Sequence, residues 1–109
     1  MPKSYKILGQ SIPSPNTFTD LYVVPAGNNA VISTLNVCNT STSAVTFRLM
    51  ARKAGNTIAK QQYLVFDAAL PAVDALGITL GITLSSSDVL TGFSTQGNVV
   101  FTVFGTEIY

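Results

Sequence analysis

Histidine and tryptophan are absent from these 109 residues, and cysteine occurs once. Without histidine, the commonest general base and a principal metal ligand are missing. The five acids, Asp20, Asp67, Asp74, Asp88 and Glu107, stand singly and mostly beside turn residues. Neither the paired carboxylates of a glycosidase nor the clustered oxygens of a calcium loop are written there. Cys38, being alone, forms no internal disulfide and no thiolate metal cluster. With no histidine to activate it, it reads as a structural thiol. Gly9, Gly27, Gly55 and Gly97 do not fall in the G-x-x-x-x-G-K order of a phosphate loop. These gaps predict a protein without catalysis, metal or cofactor.

Charge is scarce in both signs. Six basic and five acidic side chains make up 10% of the chain, against about 25% in ordinary soluble domains. The net charge of +1 supplies no electrostatic reason to bind nucleic acid or an anionic membrane. A monomer of this mass would expose roughly 5,800 Å², which leaves about 500 Å² for each charge. A surface so thinly charged suits a chain that spends its working life against copies of itself or a larger assembly. The opening "MPKSYKILGQ" lacks the apolar run of a secretory signal. The uncharged stretch Ala75–Ser87 has 13 residues, where about 20 are needed to span a bilayer as a helix.

What the sequence does have is alternation. Residues 76–85 read "LGITLGITLS", with Leu76, Ile78, Leu80, Ile82 and Leu84 on every even position. Successive side chains of a strand point to opposite faces, so the large residues share one face and Gly77, Thr79, Gly81 and Thr83 the other. As a helix, the same residues would wrap the whole circumference, and each internal glycine would cost roughly 1 kcal/mol relative to alanine. The stretch is predicted to be a strand with Leu76, Ile78, Leu80 and Ile82 in the core, beside Phe47, Leu49, Phe101 and Val103.

The same pattern runs through the chain. "YKILGQS", "FTDLYVV", "AVISTLNVC", "AVTFRLMAR", "QQYLVFDAAL", "VLTGFST" and "VVFTVFGTEIY" read as further strands. "IPSPNT", "PAGNN", "NTSTS", "KAGNT", "PAVD", "SSSD" and Gly97–Asn98 supply turns. In the third strand Val31, Ser33, Leu35 and Val37 are expected to share a face. "QQYLVFDAAL", apolar on both sides around Leu64–Phe66, is expected to be a central strand. Pro71 interrupts the one helical alternative, "DAALPAVDAL". The "NTS" at Asn39–Ser41 has the form of a glycan acceptor but reads as a turn. About eight strands at 8–12 residue spacing predict an all-β fold, one antiparallel β-sandwich domain over residues 1–109, jelly-roll or Ig-like.

Two features are candidates for a protein interface. Gly77, Thr79, Gly81 and Thr83 make a strand face with almost no relief. Glycine weakens a strand unless something approaches the backbone closely, so a neighbouring chain or loop is expected on this face. Arg48 and Arg52 share the outer face of another strand, near Lys53 and Lys60. They form either a solvated face or a docking patch for an acidic partner.

Four quoted segments carry a family resemblance: "LYVVPAGNNAVISTLNVCNTS", "FRLMARKAGNTIAKQQYLVFDAALPA", "ITLSSSDVLTGFST" and the closing "VVFTVFGTEI". With their "VPAG" turn, their strand ending in "CN" and the late "L-x-x-x-D-V-L" turn, they resemble small all-β virion structural proteins of tailed bacteriophages, over Tyr5–Ile108. The resemblance implies a virion component assembled in the host cytoplasm. The first expectation is a capsid decoration (cement) protein that bridges subunits of the major capsid protein and self-associates. The second is a neck, tail or fibre module that recognises a host-surface glycan. Neither nucleic acid nor membrane is an expected partner.

Overall fold

The computed structural model describes residues 2–109. Eight strands follow in order: β1 (Lys3–Ser11), β2 (Thr19–Val23), β3 (Asn29–Asn39), β4 (Val45–Arg52), β5 (Tyr63–Leu70), β6 (Asp74–Leu84), β7 (Val89–Ser94) and β8 (Val99–Ile108). Two short 3-10 turns, Lys53–Gly55 and Lys60–Gln62, lie between β4 and β5. The strands form two four-stranded antiparallel sheets, in the orders β1-β8-β3-β6 (sheet A) and β2-β7-β4-β5 (sheet B). β1 pairs with β8, β2 with β7, β3 with β6 and β4 with β5. The chain is thus one long hairpin rolled up on itself, which is the jelly roll.

Alternation accounts for the core. In β8 the odd residues Val99, Phe101 and Val103 are completely buried and the even ones point outward. Phe47 and Leu49 of β4 meet them from sheet B, also completely buried, with Phe47 edge-on to Phe101. The prediction for β6 needs adjusting. Ile78, Leu80 and Ile82 do point inward, but β6 is an edge strand, so they are only half-buried against the core. Leu76 lies beyond the cover of sheet B and is 40% exposed. Leu80→Ala is therefore expected to cost about 1–2 kcal/mol in a urea denaturation series, below the 2–5 kcal/mol of a fully enclosed leucine.

Two other expectations are corrected. Val31 does not share a face with Leu35 and Val37, because β3 carries an extra residue at Ser33 relative to β8. Ala30 and Ile32 point inward before that bulge, and Leu35, Val37 and Asn39 after it. β5 is not central: it is the edge of sheet B, with Leu64 42% and Phe66 59% exposed. The segment around Pro71 is a turn between two strands, not a helix.

Bulges recur at one level of sheet A. β1 gains a residue at Leu8, β3 one at Ser33, and β6 one more than β3 at Leu80–Gly81, while β8 runs straight between them. Gly81 supplies the left-handed backbone (φ +59°) for the β6 bulge. One extra residue flips the alternation in β3, and the second restores it in β6.

Candidate interaction surface

The even residues of β8 lie on the outer face of sheet A, and their register partners extend that face across all four strands. One row runs Gly77, Asn36, Thr102, Gln10; the next runs Thr79, Thr34, Phe104, Ile7; a third runs Thr83, Val31, Thr106, Tyr5. Among the described residues, the only charged side chain on this outer face is Lys3, at one end opposite Ile108. Tyr5 (77%), Ile7 (51%) and Phe104 (37%) are exposed there. At the Gly77 and Gly81 positions an added methyl carbon would meet nothing within 4 Å. Among the described residues of one copy, then, no loop covers these two positions, and of the expected neighbouring chain or loop only a chain from another molecule is left to lie there.

Arg48 and Arg52 are placed elsewhere. β4 belongs to sheet B, so the two arginines sit on the opposite side of the sandwich from Gly77, Thr79, Gly81 and Thr83. The two candidate groups do not form one site. The guanidinium of Arg48 donates to both oxygens of Asp67 (2.6 and 3.3 Å) and to the Tyr63 hydroxyl (3.3 Å). It also lies over the rings of Phe66 (4.5 Å) and Phe93 (4.8 Å). Arg52 donates to Asp20 (2.9 Å), the Thr91 hydroxyl (3.0 Å) and the Asn56 carbonyl (3.1 Å). Both fasten the outer side of sheet B, where Met50 is completely buried beside them. The hydrogen bonds from Arg48 hold the Asp67 carboxyl below its ordinary range.

The remaining acids are also engaged. Glu107 of β8 accepts from the buried Tyr22 hydroxyl of β2 (2.6 Å) and pairs with Lys6 of β1 (2.7 Å), tying the sheets together at one side. The hydrogen bonds from Lys6 and then Tyr22 depress the Glu107 carboxyl, while burial and the Glu107 hydrogen bond push the Tyr22 hydroxyl far up. Asp88 accepts from the N–H groups of Ala54 and Ser85 and from the Ser85 hydroxyl. Burial alone would raise its carboxyl, but these bonds and the nearby Lys53 hold it low. Asp74 accepts from the N–H of Ala75. Among the described residues no three His, Cys, Asp or Glu side chains come together as a metal site, and no helix is long and apolar enough to cross a membrane. Among the described residues, each of the five acids thus has a hydrogen-bond partner within the chain.

Sequence reasoning missed Tyr5, Ile7 and Phe104 as companions of the glycine face. The signal was present in β8, where the complement of the buried odd positions is Val100, Thr102, Phe104, Thr106 and Ile108. What the sequence does not show is which strands lie beside β8.

No family model matches this sequence, and no curated protein matches it. Among solved structures, the chain is similar to part of one described as "Structure of infectious bursal disease virus Gx strain", with a TM-score of 0.54 and 12% identity. The likeness is one of fold. It covers 97% of this chain and 32% of the other, so this chain spans about a third of the protein it matches. A second match, described as a pentameric capsid protein isolated from metagenomic phage sequences, covers 96% of this chain and 64% of that one at 17% identity. Its TM-score of 0.34 is too low to carry an argument. A jelly roll of this kind therefore occurs within a virus structure, and it is also an architecture of lectins and cupins.

Proposed function

We propose that this chain is a virion structural protein that works by contact, as a decoration (cement) protein on the head of a tailed bacteriophage. The observation that carries the reading is the outer face of sheet A: four strands wide, flat at Gly77, Thr79, Gly81 and Thr83, and, among the described residues, bare of charge except at Lys3. Four strands at about 4.8 Å and nine residues at about 3.3 Å give a face of roughly 19 by 30 Å. Its projected area, about 570 Å², is the larger part of the roughly 800 Å² a standard interface removes from each partner. The fold likeness supports the reading to the extent that this architecture is used in a virus. The Arg48 and Arg52 strand is the weaker docking candidate, since its guanidinium donors already have internal acceptors.

On a capsid lattice the mechanism is mass action. A copy that binds only the assembled shell stabilises it in proportion to RT ln(1 + [L]/Kd). The test pairs electron microscopy of the virion with sedimentation of the purified protein on heads that lack it. Thr79→Lys and Thr83→Glu place a charge on the exposed flat face and should leave the thermal melt unchanged. Each is expected to weaken attachment at least 100-fold, because an unpaired charge is buried in the contact, at a cost of about 3–5 kcal/mol. Parent-like binding by both variants would make this face a solvent surface. Density on a neck, tail or fibre instead of the head would move the protein to the second expected location.

A further inference from the structure

The four sheet edges are not alike. β1 carries Lys3 and Lys6 and a bulge at Leu8; β2 has five residues and a bulge; β5 is interrupted twice, with Asp67 in the left-handed region (φ +50°). Lysines, bulges and short length are the usual devices that stop an edge from pairing with another chain. β6 has none of these over Ala75–Leu80, between Asp74 at its start and its own bulge at Leu80–Gly81. There the strand overhangs sheet B: Asp74, Ala75, Leu76 and Gly77 are exposed one after another, including Leu76 on the inner face, while its register partner Val37 is completely buried.

The geometry points to a second copy of this chain as the occupant of that edge, paired antiparallel across a two-fold axis at Gly77, so that two four-stranded sheets become one of eight. The segment is complementary to itself about that residue. On the inner face Leu76 meets the partner's Ile78, large against large. On the outer face Ala75 meets the partner's Thr79, small against small, and glycine meets glycine on the axis. The charged ends fall at the rim of the strip, each Asp74 opposite the partner's Leu80, and six residue steps place the two Asp74 residues about 20 Å from each other. A closed two-fold pair also uses up the edge, so no open filament follows. The strip is about 23 Å long and about 10 Å deep. It is therefore well below a standard interface, so the pair is a weak one that exchanges with monomer. This deepens the contact reading by naming one partner, and it is measured in solution, where no virion is needed.

Sedimentation equilibrium from 10 µM to 1 mM is expected to show concentration-dependent dimer, weakened at least tenfold by Leu76→Lys, a substitution at an exposed position. In a Cys38→Ser background, Gly77→Cys places two thiols across the axis. Opposed residues of antiparallel strands lie about 4.5–5.5 Å apart between Cα atoms, inside the 4.4–6.8 Å range of a disulfide. With diamide as oxidant, that variant should cross-link to a covalent dimer. Thr79→Cys should not, because its two copies lie about 13 Å apart in this register. A strictly monomeric protein at 1 mM, a dimer indifferent to Leu76→Lys, or equal cross-linking at both positions would overturn the pairing. Failure of attachment with an intact dimer would instead count against the virion reading alone.

Discussion

Replacing Gly105 with alanine is expected to abolish the stable fold, although it adds a single methyl group. Gly105 lies in β8 at the level where β1, β3 and β6 all bulge, opposite Ile32 in β3. A Cβ built there would collide with the carbonyl oxygen of Val31 and come within 3.0 Å of Leu8 Cδ1. The leucine tip can rotate away. The carbonyl cannot, because it belongs to the central ladder of sheet A, and relieving the clash would pull β3 and β8 apart. A domain of this length has only about 5–15 kcal/mol of stability, and a backbone collision of this kind belongs with the rare substitutions that cost more than 4–5 kcal/mol. A melting temperature lower by about 20 °C or more, or recovery only from inclusion bodies, is the expected result. Gly77→Ala is the control. Its methyl group enters open space, so its melt should stay within a few degrees of the parent. Similar melts for the two alanine variants would show that β3 and β8 do not approach so closely.

That contrast marks how far the sequence was legible. The two glycines look alike on paper, each lying within a segment that reads as an alternating strand. Periodicity identifies which side of a strand a residue takes, and it placed Phe47, Leu49, Phe101 and Val103 in the core correctly. It does not register a bulge, because the extra residue is visible only against a partner strand. In β3 the bulge at Ser33 moved Val31 to the outer face; in β6 two extra residues relative to β8 cancelled, and the plain alternation of "LGITLGITL" survived. β5 misled for a related reason. Phe66 is an apolar residue on an exposed edge, held there by the Arg48 guanidinium lying over its ring, and it imitates the pattern of a strand buried on both sides. The Arg48–Asp67 and Arg52–Asp20 pairs join residues 19 and 32 positions apart, with no spacing rule to reveal them. The candidate face was thus half legible: the Gly/Thr half could be read in β6 alone, while the Tyr5, Ile7 and Phe104 half depends on β1 and β8 lying in the same sheet.

The second large effect concerns Asn39, at the end of β3, where the turn expected from "NTS" is found. Asn39 is 1% exposed, which leaves no access for a glycan. Its Nδ2 group donates to the carbonyls of Ser43 (2.8 Å), Pro71 (3.1 Å) and Leu70 (3.4 Å). Its Oδ1 accepts from the N–H (3.0 Å) and hydroxyl (2.7 Å) of Ser41. One amide thereby joins the β3–β4 turn to the β5–β6 turn and fixes where β6 begins. Asn39→Asp keeps the size and the acceptor side but turns a donor into an oxygen facing three carbonyls. At neutral pH that oxygen is charged, buried and without a donor, so a loss of at least about 3 kcal/mol is expected. Protonation repairs part of the damage, because a carboxylic acid can donate where the carboxylate cannot. The folded-state pKa of the new Asp is therefore raised above its unfolded value of about 3.9. With that sign, the deficit relative to the parent is smallest below the unfolded pKa and grows as pH rises through the folded one. The comparison must be made with the parent at each pH, since Glu107, whose carboxyl is depressed, removes stability from both proteins as acid is added. Urea midpoints from pH 3 to pH 8 would show the difference opening upward. A difference constant with pH would mean that the amide of Asn39 does not face the Leu70 and Pro71 carbonyls, and the start of β6, with the edge proposed to pair there, would lose its anchor.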